Sequence, residues 1–121
     1  MAFDTTPGEI VQAALEGVAY RLADVLDAIG GLESVVATGH ALLVDHAWLQ
    51  ILADVLGRPV EVSAELEGSA RGAAACALEQ LGLPVPDAPV ARVVEPRLER
   101  HEIHQMGREE QRRLMRFEEA T

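Results

Sequence analysis

The residues best placed to do chemistry lie in one stretch, VVATGHALLVDHAWLQILADVLGRPV, residues 35–60. An apolar strand pattern runs into Thr38-Gly39, an amphipathic helix follows, and a second apolar strand closes the unit. A glycine turn between a strand and a helix is a ready anion or nucleotide contact, because backbone N–H groups at a helix start carry partial positive charge. The same loop holds His40, Asp45 and His46. Imidazole and carboxylate on one short loop can converge on zinc, although His46 falls in the first turn of a helix, His40 lies five residues before its cap, and no fourth ligand is evident. His101 and His104, three residues apart on one helical face, are further candidates to join such a set and read more simply as surface histidines.

Other chemistries find no support, and no catalytic residue is assigned. All ten basic residues are arginine, so a P-loop or Schiff-base lysine is excluded. Ser34, Ser63 and Ser69 are the only serines and none sits on a nucleophile elbow. Glu16, Asp24 and Asp54 lie on polar faces of amphipathic helices, where carboxylates are expected to be solvated. Cys76 has no partner, which excludes a disulfide or a cysteine zinc site, and a buried inert thiol is expected.

Helices and strands must position that loop. Thr6, Pro7 and Glu9 form a capping box that starts a helix. Apolar residues recur at Val11, Leu15, Val18, Leu22, Val25 and Ile29 along one of its faces, and Gly30-Gly31 ends it. ESVVATG reads as a strand. Asp45 caps a helix whose buried face is Trp48, Leu49, Leu52, Val55 and Leu56, ended by Gly57. RPVEVS is a second strand, and GSARGAAACALEQLG a third helix whose alanines allow close packing. This β-α-β unit predicts two parallel strands with open outer edges.

Residues 1–82 thus form an α/β core. Residues 83–96 carry four of the six prolines and read as an extended connector. Residues 97–121 read as a charged helix, bent near Gly107, lying on the surface or projecting to a partner.

At 121 residues the chain is one domain, and with aromatics at 3% its core must be aliphatic and alanine-rich. The formal net charge is -10, and residues 1–96 hold four arginines against fourteen acids. Such a surface repels phosphate backbones and anionic lipid, so neither nucleic acid nor membrane is an expected partner. No leader or spanning segment is legible in the sequence, and a cytoplasmic location is expected.

AALEGVAYRLADVLDAI, ATGHALLVDHAWLQILADVLGRPVEV, GSARGAAACALEQLG and RVVEPRLERHEIH, in that order, resemble the C-terminal end of the FGGY carbohydrate kinases, in particular the gluconokinase-like or xylulokinase-like branch. The resemblance implies a fragment of a ribonuclease H-like, actin-like lobe and a family activity of ATP-dependent phosphorylation of a sugar or sugar acid. It implies that Thr38, Gly39, His40 and Ala41 correspond to a glycine-rich turn lining the Mg-ATP site. Gly39 keeps that pattern. His40 departs from it, and Asp45-His46 stands where the family commonly has Ser-Pro or Asn-Pro. An imidazole is expected to occupy space there, and a carboxylate to oppose a triphosphate.

Members of that family are several times longer than this chain, so autonomous catalysis is not expected, and no cofactor is expected although the resemblance allows ATP and Mg. A detached nucleotide-side domain is the leading reading. A non-enzymatic interaction module, natural or engineered, and one subunit of a split kinase are the alternatives. In each case a homo-oligomer or a partner protein is expected to cover the open strand edges.

Overall fold

The computed structural model describes residues 4–120. Its elements, in chain order, are α1 (Pro7–Ile29), β1 (Val36–Ala37), α2 (His40–Val44), α3 (His46–Leu56), β2 (Val60–Ser63), α4 (Gly68–Gln80), β3 (Val90–Val94) and α5 (Leu98–Glu119). The local signals act as expected. The Thr6 hydroxyl accepts from the Glu9 N–H at 3.2 Å and the Glu9 carboxylate accepts from the Thr6 N–H at 2.8 Å. Asp45 accepts from the Trp48 N–H at 3.1 Å and starts α3, which Gly57 ends in the left-handed conformation.

The sheet has three strands in the order β1-β2-β3. β1 and β2 are parallel, with Val36 opposite Glu61 and Ala37 opposite Val62. β3 is antiparallel to β2, Val60 facing Val94 and Val62 facing Arg92, and the register shifts at Val62/Ser63. The extended segment 83–96 is therefore more than a connector, because its ARVV run supplies the third strand and satisfies one open edge of β2.

α3 lies at the centre. Leu49, Leu52, Ala53 and Val55 pack with Ala37, Val60, Val62 and Val94 of the sheet and with Ala19 and Ala23 of α1. The buried residues of α1 are thus Ala19 and Ala23, with Tyr20 packed beside them, and most of its large aliphatic residues point elsewhere. Val11, Val18, Leu22, Val25 and Ile29 are 39–64% exposed. α4 buries no residue, although Ala75 and Leu78 are half-buried, and Cys76 is exposed rather than buried.

α5 is unbroken through Gly107 and lies against α1 and α3 rather than projecting. Gly107 is required by proximity, since a Cβ there would stand 2.6 Å from the Tyr20 hydroxyl. That hydroxyl is 2.9 Å from Nδ1 of the buried His104 and donates to it in the neutral tautomer that carries its proton on Nε2. Burial pushes His104 below the usual imidazole range, which favours that neutral form. Arg108 donates to Asp24 and Asp27 at 2.8 Å each, so Asp24 is an anchor between helices and not a solvated face.

Asp54, also expected to be solvated, is 1% exposed. Its carboxylate accepts from the Arg97 backbone N–H at 2.8 Å, from Arg97 Nε at 3.0 Å and Nη2 at 2.6 Å, and from Gln50 Nε2 at 2.9 Å. Burial by itself would raise this carboxyl, but the Arg97 and Gln50 donors outweigh it and hold it below the ordinary carboxylate value. A lowered folded-state pKa means stability that is complete above the unfolded value and is lost as pH falls through the folded one.

Arg97→Ala is expected to destabilise the protein by about 2 kcal/mol at pH 7, less than a fully buried pair loses because Arg97 is half exposed. In urea titrations the gap to wild type should narrow as pH drops below about 4. Gly107→Ala is expected to destabilise by about 1–3 kcal/mol through overpacking, although alanine is the better helix former. The same change in a Tyr20→Ala background should become neutral or stabilising, which thermal melts of the four proteins would reveal.

Candidate functional site

Both loops that follow the parallel strands emerge at their carboxyl ends, the place where open α/β sheets bind ligands. After β1 the chain turns at Gly39 with φ 95° and ψ 145°, a conformation that L side chains rarely adopt, and α2 begins at once. Nothing lies within 4 Å of where a Cβ on Gly39 would point, so the space above the turn is open. After β2, the Ser63 hydroxyl accepts from the Glu65 N–H at 3.0 Å and the Glu65 carboxylate accepts from the Glu67 N–H at 2.9 Å. These side-chain bonds shape the turn into α4.

The two loops meet where Gly68 approaches Thr38. A Cβ on Gly68 would stand 3.0 Å from the Thr38 hydroxyl, so the absence of one lets the loops close up. Between them is an open cavity of about 420 Å³ lined by Thr38, Gly39, His40, Leu66, Glu67, Gly68 and Ser69. This size is within the range of small-molecule sites. A neighbouring groove of similar volume shares Thr38 and Gly68 and extends to Arg71 and residues 85–88. Arg71 spends its guanidinium on the carbonyls of Pro86 at 2.7 Å and Asp87 at 2.9 Å, which ties that loop over α4.

The structure brings together three of the four residues of the expected turn. Ala41 follows within α2 and is not on the cavity wall. His40 stands on the wall but leaves the cavity open, so the expected loss of space is partial. Asp45 caps α3 and is likewise not on the wall, and His46 pairs with Arg92 of β3. Among the described residues, no three His, Cys, Asp or Glu side chains are grouped as around a metal ion. His101 Nδ1 lies 3.0 Å from the Asp54 carbonyl at the end of α3 and His104 pairs with Tyr20, so both serve packing.

Sequence reasoning missed the second loop, Leu66 to Ser69. Its signal was present as ELEGSARG, a turn ending the second strand and opening a helix at glycine. The lining offers hydrogen-bond donors. Thr38 and Ser69 offer hydroxyls, and the start of α4 offers backbone N–H groups with no side-chain cap from Glu67. Glu67 is the one carboxylate on the wall, and no arginine lines it.

Residues 1–81 match the FGGY family of carbohydrate kinases, C-terminal domain. A glycerol kinase of Rhizobium rhizogenes is 38% identical over 87 residues, covering 66% of this chain and 18% of that protein. A glycerol kinase of Cereibacter sphaeroides is 36% identical over 104 residues, covering 77% of this chain and 21% of that protein. Xylulose kinase from Rhodospirillum rubrum superposes with a TM-score of 0.75 at 26% identity over 94% of this chain and 25% of its own. Xyloylose kinase from Brucella ovis shares the fold, with a TM-score of 0.81 at 24% identity over 99% of this chain and 27% of its own.

The chain therefore spans about a fifth of the glycerol kinases it matches. The mixed α/β architecture is that of the ribonuclease H-like, actin-like kinases, as the resemblance implied. No helix among the described residues is long and apolar enough to cross a membrane. With the match over residues 1–81 and the shared architecture together, the chain belongs to the FGGY family of carbohydrate kinases and corresponds to its C-terminal domain.

Proposed function

We propose that this chain is the nucleotide-side portion of an FGGY carbohydrate kinase, binding ATP and ADP between the β1–α2 turn and the start of α4. The observation that carries this reading is the left-handed Gly39 turn facing Gly68 across an open cavity at the carboxyl ends of two parallel strands. Thr38, Gly39, His40, Gly68 and Ser69 would hold the nucleotide. Mg-ATP, when bound, supplies the transferable phosphoryl group. The acceptor class is a sugar, sugar acid or polyol.

These residues bind and orient; they are not assigned turnover. Phosphoryl transfer requires metal-bridged phosphates, an oriented acceptor and a base held together. A chain spanning about a fifth of its curated relatives is proposed to act only beside the rest of such a kinase, whether on the same polypeptide or on another.

A second reading, an interaction module, is favoured by α1. Val11, Val18, Leu22, Val25 and Ile29 form an exposed aliphatic stripe, while Ala19 and Ala23 face the core. A soluble protein covers such a stripe by association. The occupant in this reading is a second copy of the chain or a partner protein.

Isothermal titration with Mg-ADP tests the first reading. The chain is expected to bind, and Gly39→Val to weaken binding at least tenfold, with a stability loss of about 1–2 kcal/mol from the positive φ. Equal affinity of the two proteins would overturn the assignment of the turn. Light scattering tests the second reading: the chain should self-associate, and Val18→Glu with Val25→Glu should make it monomeric. A wild-type monomer would remove the second-copy reading.

A further inference from the structure

The family resemblance would have glycine where His40 stands, and an imidazole there can act as an obstruction or as a ligand group. Its placement decides between these. His40 is the first residue of α2, it is exposed, and it shares one open wall with Thr38, Gly68 and Ser69. The cavity retains about 420 Å³ with the side chain present, so the imidazole borders the space without filling it.

The wall is rich in donors, against which Glu67 is its one carboxylate. Hydroxyls, backbone N–H groups and the imidazole can all donate, while the wall holds no aromatic face on which a base could stack, and Leu66 is its one large apolar residue. Arg71, the arginine of the neighbouring groove, is committed to two carbonyls. His40 is thus the one side chain on this wall able to carry positive charge, and Glu67 the one able to carry negative charge.

We propose that His40 is a specificity-determining residue that donates a hydrogen bond to a phosphate oxygen of the bound nucleotide, taking the part of the cationic side chain that the wall otherwise lacks. The proposal rests on the nucleotide reading above and adds the atom group contacted. A charge-assisted bond of this kind should favour ADP over adenosine, because adenosine offers no phosphate oxygen.

The test compares adenosine with ADP in titrations of the 121-residue chain and of His40→Gln, His40→Arg and His40→Gly. Thermal melts check that each variant folds, which an exposed helix-start position permits. His40→Gln is expected to weaken ADP about tenfold and to leave adenosine within twofold. His40→Arg should retain ADP affinity within about threefold of wild type. If His40→Gly binds ADP as tightly as wild type or tighter, the imidazole is an obstruction and the proposal fails while the nucleotide turn stands. If His40→Gln weakens adenosine and ADP equally, the contact is to base or ribose and the phosphate assignment is overturned. If the wild-type chain and all three variants bind neither ligand, the nucleotide reading itself falls, and the role of His40 with it.

Discussion

A single carboxylate sets the course of the C-terminal third of this chain. Asp54 sits between Ala53 and Val55 on the most buried helix, where an ionised group survives only if donors surround it. Those donors come from Gln50 one turn earlier and from Arg97, whose backbone N–H and guanidinium both reach it. Gln50 also donates to the Glu95 carbonyl at 2.9 Å, so the corner between β3 and α5 is clamped on two sides. Because that corner is fixed, β3 lies beside β2 and α5 turns back across α3 and α1. His101 and His104 then land on the end of α3 and on Tyr20.

This clamp bears on the candidate site through β2. With β1 on one edge and β3 on the other, β2 is held along its length, and the loop leaving it starts from a fixed point at the buried Ser63. The site is then a meeting of two loops with unequal support. The β1 side leads into α2 and the well-packed α3. On the β2 side α4 buries nothing, and Arg71 ties it to residues 86–87. A wall built on few buried contacts belongs to the low-stability end of a fold, where ligand-binding elements are commonly found.

Local chemistry was legible in the sequence wherever a feature depends on residues close together in the chain. The Thr6–Glu9 box, the Asp45 cap, the glycine ends of α1 and α3, and the Gly39 turn all act within a few residues. The family resemblance rested on the same stretches. The third strand was hidden because ARVV lies among prolines, which read as an extended linker until β2 presents an open edge to pair with. The bend expected at Gly107 was an inference from propensity. Its actual cause is steric, the closeness of Tyr20 on another helix, and nothing in the neighbouring residues encodes that.

Charge and burial divide along the same line. Sequence alone determined that the chain is one acidic α/β domain without lysine, that α1 and α3 start and stop where they do, and that a glycine turn stands between its first strand and the helices that follow. Those outcomes depend on short-range sterics and on backbone hydrogen bonding. Only the tertiary structure decided that Asp54 and Asp24 are anchors, that Cys76 is exposed, that the aliphatic stripe of α1 faces outward, and that Leu66 to Ser69 complete the cavity with Thr38 to His40. Each of these depends on which residues distant in the chain come within a few ångströms, and amphipathic periodicity gives the spacing of a face without naming what the face meets.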